Sequence, residues 1–289
     1  MTTTTAALLA APRFLMCPPD FYGVEYVINP WMEGRLGTVD PVRAQVQWDD
    51  LHALLTRTLG ATVEILLPQP RLLDMVFTAN AGLVGRAGTV VAPSCFRNDE
   101  RRGEEPHFGA WFARNGFEVR PLPPDLAFEG AGDALFHEGG AAAAAEKRLL
   151  LWAAHGFRTD ERAHPFLGQI FDADVVSLHL TDPRFYHLDT CFCPLPGGHL
   201  LWYPPAFDAD SCARVEEIVP APFRIAVRDE DACGFACNAV AVGRSVVLNA
   251  CSGALASSLR ARGFEPHVTP LGEFLKAGGS AKCLTLRVA

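Results

Sequence analysis

Apolar positions along this chain alternate between a three-to-four-residue spacing and short continuous runs, a pattern that predicts helices and strands in turn. Asp40 as N-cap and Pro41 at the first helical position open one helix. Val42, Val46, Leu51, Leu54, Leu55 and Leu59 form its stripe, and Gly60 closes it. Phe108, Trp111 and Phe112 mark a second helix ending near Gly116. Residues 161–171 and 252–262, the latter stopped by Gly263, give two more. Strand-like runs fall at 63–67, 88–92, 149–153, 175–180, 200–203, 240–242, 246–249 and 284–288. An aromatic-rich stretch from Phe21 to Trp31 turns at Asn29-Pro30. The alternation predicts α/β or α+β architecture with no long linker to divide it. No residue period recurs visibly.

Composition narrows the class. With 289 residues and 49% hydrophobic content the chain can bury a substantial core, and its charged fraction of 20% argues against disorder. A net charge of −8 disfavours nucleic acid and anionic membranes as partners while accepting a small cationic substrate. Residues 1–12 lack a basic leader region and are too short an apolar run to span a bilayer, so they read as a frayed tail before a single domain at 13–289. Nine scattered cysteines, an odd number, suggest reduced thiols in a cytoplasmic setting. Ala141 to Ala145 reads as a variable surface loop.

Four segments carry candidate chemistry. Gly278-Gly279 leads into Cys283 where loop becomes strand, a place from which a thiolate can reach a bound substrate. His187 and Asp189 stand two apart, on one side of an extended segment. Glu129 opens Glu129-Gly130-Ala131-Gly132-Asp133, and residues 74–80 end in Phe77-Thr78-Ala79-Asn80. In this order the set resembles the guanidino-group-modifying enzymes of the pentein superfamily, which includes arginine deiminases, dimethylarginine hydrolases and amidinotransferases. The resemblance covers about 13–288. It implies an α/β fold, a five-bladed pseudo-symmetric propeller of ββαβ units, and a cysteine-dependent hydrolase without a cofactor, acting on arginine or an N-substituted arginine. On that pattern Cys283 is the nucleophile, His187 the general acid/base, Glu129 the carboxylate that orients the histidine or meets the guanidinium, and Asp189 a guanidinium-binding carboxylate. The inserted-looking Ala131 leaves the placement of Asp133 less secure.

Asn80 departs from the aspartate that deiminases and dimethylarginine hydrolases carry at the comparable place. An asparagine can donate to a carbonyl oxygen, as a neutral ureido group requires, where an aspartate cannot. With Asn29 in Val27-Ile28-Asn29-Pro30-Trp31-Met32, this resembles the arginine dihydrolases, which take arginine to ornithine, carbon dioxide and two ammonia. Asn29 reads equally as a turn-former before proline. Arg158 is one candidate for the substrate carboxylate; Arg97 is another, with Arg101 as its competitor. Alternatives remain: a one-step deiminase, a dimethylarginine hydrolase, an amidinotransferase, or a catalytically silent binding module of the same fold. Cys191-x-Cys193 near His179, His187 and His199 lacks the second ligand pair of a zinc site, so no metal is expected. Gly-Ala-Gly is no dinucleotide fingerprint, and no phosphate loop or serine-nucleophile elbow occurs. Homo-oligomerisation is left open.

Overall fold

A computed structural model describes residues 11–139 and 149–289. The Ala141–Ala145 segment lies outside that range, as does the 1–12 tail apart from Ala11 and Pro12. The described strands form five three-stranded sheets of one design. In each, a first strand pairs antiparallel with a second, and the second pairs parallel with a third. Such a parallel step needs a crossover, which here is helical. β3 (Gly82–Val84), β4 (Val90–Pro93) and β5 (Glu118–Val119) form one sheet. β6 (Ala134–Phe136), β7 (Leu149–His155) and β8 (Ala173–His179) form the next. β9 (Phe192–Leu195), β10 (His199–Trp202) and β11 (Arg224–Ala226) follow, then β12 (Val240–Val242), β13 (Ser245–Leu248) and β14 (Glu265–Val268). The fifth sheet joins the chain ends: β15 (Leu286–Arg287) pairs antiparallel with β1 (Arg13–Met16), which pairs parallel with β2 (Thr62–Ile65).

Five crossover helices occupy matching places: α1 (Pro41–Ala53), α2 (Glu105–Arg114), α3 (His164–Phe171), α4 (Ala209–Ile218) and α5 (Gly253–Arg260). Residues of β3, β6, β9, β12 and β15 line one central channel, so the units are arranged as a ring. The ββαβ repeat and the α/β pentein architecture follow from this order. The core lies between sheets and helices. Phe108, Trp111 and Phe112 of α2, for example, pack with Val91 and Ala92 of β4, and full burial of each large side chain contributes about 1.5–3 kcal/mol. Among the described residues no helix is long and apolar enough to cross a membrane.

Gly60, Gly116 and Gly263 all take positive φ and end their helices where expected. Other expectations need correction. In α1 the Asp40 cap and Pro41 are in place, but Val42 is 73% exposed and Val46 53%. The buried face is Ala44, Gln47, Trp48, Leu51 and Leu55, because Gln47 turns inward to accept a bond from the Glu273 N–H. The buried face is thus offset from the apolar stripe in the first two turns. Helix α4 was not foreseen. Its buried positions are only Ser211 and Val215, too few to make a stripe, although Asp208 caps it by accepting from the Ser211 N–H. The terminal strand begins at Leu286 rather than 284, which leaves Cys283 in the preceding turn.

Candidate active site

Each unit enters its first strand through a tight turn, and the site is built from these turns. They are residues 77–81, 129–133, 187–191, 235–239 and 281–285, each ending one residue before β3, β6, β9, β12 or β15. In four of them the fourth residue donates its N–H to the carbonyl of the first: Asn80 to Phe77, Gly132 to Glu129, Thr190 to His187, Asn238 to Phe235. In the fifth, Leu284 donates to the Ser280 carbonyl. Equivalent positions therefore face the same axis. Glu129 and His187 both stand fifth before their strands; Asp189 and Cys283 both stand third; Asn80 and Asn238 both stand second. His187 and Asp189 belong to this turn, Asp189 within its 3-10 helix and His187 at its N-cap, not to one extended segment as their spacing suggested.

Cys283 is buried, with its Sγ 3.5 Å from Asp189 Oδ2 and 3.0 Å from Asn238 Nδ2. Burial pushes its thiol well above the ordinary range, and the Asp189 carboxylate adds to this. Asp189 itself, wholly buried, is pushed up to about 6, with Lys282 opposing. His187 Nε2 lies 2.7 Å from Glu129 Oε2, and Arg158 Nη1 donates to the same oxygen at 3.1 Å. Against burial, which would raise it, Arg158 and His187 hold the Glu129 carboxyl well below its usual range. Gly132 lets this corner close: a Cβ there would collide with Asn80 Nδ2. Asp133 accepts from Thr159 and from the Leu188 N–H, tying two turns together.

A small cavity opens beside Cys283, lined by Asn29, Asp74, Asn80, Arg101, Arg158 and Tyr186 among others. Asn80 Oδ1 accepts from Arg101 Nη1 at 2.9 Å while its Nδ2 donates to the Glu129 carbonyl at 3.2 Å. Asn29 sits in a turn at the edge of the cavity. Its Oδ1 accepts from Trp31 N–H and its Nδ2 donates to Ala277 O. Arg158, whose guanidinium lies over the Tyr186 ring, also donates to Ile28 O. Arg97 is not in the lining: its side chain, 44% exposed, pairs with Asp160 at 2.9 Å. Arg101 is in the lining, pinned by Glu104 at 3.0 and 2.8 Å. Cys191 and Cys193 turn their thiols to the carbonyls of Leu188 and Ala239.

Sequence reading passed over Asp74, Tyr186 and Asn238. Asp74 receives Tyr26 Oη on Oδ2, while its buried Oδ1 has no partner. Burial raises its carboxyl despite Arg101. The signal for Asn238 lies in Asn238-Ala239 before Val240, the counterpart of Asn80-Ala81 before Gly82.

No family profile matches the chain. It is 53% identical over 276 residues to the bifunctional arginine dihydrolase/ornithine cyclodeaminase ArgZ of Synechocystis, covering 96% of this chain but 37% of that protein. It is 41% identical to the N(G),N(G)-dimethylarginine dimethylaminohydrolase of Mycobacterium tuberculosis, covering 96% of this chain and 85% of that one. The solved N-terminal domain of ArgZ, an arginine dihydrolase of cyanobacteria bound to substrate, superposes with a TM-score of 0.90 at 53% identity, covering 96% of this chain and 98% of that domain. With this fold, these turns and these relatives, the chain belongs to the pentein superfamily of guanidino-group-modifying enzymes.

Proposed function

We propose that this chain is an arginine dihydrolase, with residues 13–289 acting as one catalytic domain that converts arginine and two waters into ornithine, carbon dioxide and two ammonia. Arginine carries three charged groups, and the site offers a counterpart to each. The reacting carbon must come within reach of Cys283 Sγ, so the guanidinium belongs against Asp189, the carboxylate nearest that sulfur. The α-ammonium then belongs at Asp74 Oδ1, a buried acceptor lacking a partner. The α-carboxylate falls to Arg158, which makes only two hydrogen bonds with its fork, whereas Arg101 is occupied by Glu104, Asn80 and the Asp74 carbonyl.

The bound cation offsets the burial and negative field that keep the Cys283 thiol protonated, so nucleophile and substrate activate one another. The thiolate adds to the guanidinium carbon, and His187, oriented by Glu129, protonates the departing ammonia. The same imidazole deprotonates the water that releases citrulline and the thiol. A second attack on the ureido carbon expels the second ammonia, and hydrolysis leaves an N-carboxylated ornithine that loses carbon dioxide.

The observation that carries the two-step reading is the neutral amide of Asn80. Arg101 fixes its orientation, and one of its two N–H groups is left after the bond to Glu129 O, available to a ureido oxygen. The solved ArgZ domain held covalently to a reaction intermediate supports a covalent route. Incubation with arginine tests the reading: ornithine with two ammonia per turnover is expected, none from Cys283→Ala, and citrulline from Asn80→Asp. Citrulline alone from the unaltered protein, even at long times, overturns the two-step assignment. Turnover of dimethylarginine in preference to arginine overturns the substrate.

A further inference from the structure

Asn238 is fully buried and saturates every hydrogen-bonding valence of its side-chain amide on two neighbouring turns. Its Oδ1 accepts the backbone N–H of Lys282 and that of Cys283, each at 3.1 Å. Its Nδ2 donates to the Asp189 carbonyl and to Cys283 Sγ, each at 3.0 Å. The orientation of the amide is not open to choice. Backbone N–H groups can only donate and the Asp189 carbonyl can only accept, so the oxygen must face residues 282–283 and an N–H must face the sulfur. The counterpart Asn80, at the same place before β3, spends its amide on Arg101 and Glu129 instead. One turn position thus serves the substrate pocket in one unit and the nucleophile in another.

We propose that Asn238 is a positioning residue for the reaction: its amide locks the Cys283 turn against the Asp189 turn and donates the hydrogen bond that the sulfur keeps as a thiolate. The groups whose charge reaches this sulfur are Asp189, Tyr186 and Lys282. Asp189 opposes the thiolate and Lys282 favours it. Asn238 is a neutral donor that favours the charged form of both Cys283 and Asp189, so it stabilises the thiolate without neutralising the carboxylate that a guanidinium would meet.

The proposal rests on Cys283 as nucleophile. Its test is the pH dependence of Cys283 alkylation by neutral iodoacetamide, followed by peptide mass, in the unaltered protein, Asn238→Ala and Asn238→Asp. The aspartate keeps an acceptor for the two backbone N–H groups, removes the donor and adds a charge. Loss of a hydrogen bond to a charged group is expected to raise the alkylation midpoint by about one pH unit or more in either variant. With arginine, kcat is expected to fall about 10- to 100-fold while KM changes less than about threefold. A midpoint within about 0.3 unit of the unaltered protein, or a loss confined to KM, overturns the role. Preferential labelling of another cysteine in the unaltered protein overturns the nucleophile and this proposal together, whereas normal Cys283 labelling with an unmoved midpoint overturns this proposal alone.

Discussion

The reaction end of the proposed site and its amino-acid end are built from different parts of the chain and carry different electrostatic accounts. Glu129, His187, Asp189 and Cys283 come from the quasi-equivalent turns that open successive units. Asp74, Arg101, Arg158 and Asn29 come from short helical turns and loops that have no such counterparts. Around Glu129 the charges are compensated, with His187 and Arg158 sharing one carboxylate oxygen. At Asp74 one carboxylate oxygen is buried with no partner at all. A compensated corner holds the His187 ring in place; an uncompensated one costs stability and leaves an acceptor for a cation.

Glu129→Gln tests the compensated corner and carries the largest expected effect. The His187 ring loses its charged partner and Arg158 is left as a buried cation facing an amide. A fall in kcat of about 10²- to 10³-fold is expected, with a loss of stability on the order of 3 kcal/mol. Steady-state kinetics and thermal unfolding check it. Near-normal melting would mean that the corner is not compensated in the way described.

Asp74→Asn is the matching change at the other end, and its expected signature is the reverse. An α-ammonium would lose its carboxylate, so KM for arginine should rise about 10- to 100-fold with kcat changed far less. Because the aspartate is buried with an oxygen unsatisfied, the neutral amide should leave thermal stability equal or higher. A fall in kcat without a change in KM would place Asp74 at the chemistry instead. The sequence does not single Asp74 out, because an aspartate ahead of Met75 and Val76 looks like any helix-start residue, and only the fold strips one oxygen of partners. Residues of the reaction end were easier to read: they sit in short motifs whose order along the chain survives. The register that unites the motifs was not legible, since the five turns share only their place before a first strand while carrying Phe, Glu, His, Phe and Ala at their first position.

Proton linkage separates two carboxylates within the reaction end. Asp189 has its carboxyl pushed up to about 6, above the ordinary value near 3.9, so the empty folded protein holds a proton that the unfolded chain has lost. Ionising it therefore costs folding stability as pH rises from about 4 through 6, and a bound guanidinium recovers that cost. Arginine binding to Cys283→Ala protein should tighten as pH rises from about 5 to 7 and release protons, measurable by calorimetry in buffers of different ionisation enthalpy. Glu129 runs the other way: its lowered value stabilises the fold above the unfolded pKa near 4.3, and that contribution is lost only as pH falls through the lowered value. Affinity independent of pH across 5 to 7 would break the assignment of the guanidinium to Asp189.

The smallest effect is expected from Arg97→Ala, and it is informative for that reason. In sequence Arg97 and Arg101 were equal candidates for the substrate carboxylate, two arginines four residues apart in a charged run. The fold parts them: Arg101 turns inward to Glu104 and Asn80, and Arg97 turns to a half-exposed pair with Asp160, which also receives the Ala127 N–H. An exposed pair of this kind contributes roughly 0–1 kcal/mol. Arg97 still braces the site at one remove, because its Nε donates to the Arg158 carbonyl at 3.1 Å. Removing it should raise KM by less than about threefold and leave kcat unchanged, since the Arg158 guanidinium keeps its own bonds to Glu129 and Ile28. A KM increase as large as that of Asp74→Asn would mean that Arg97 reaches the substrate after all, and that the amino-acid end extends beyond the cavity beside Cys283.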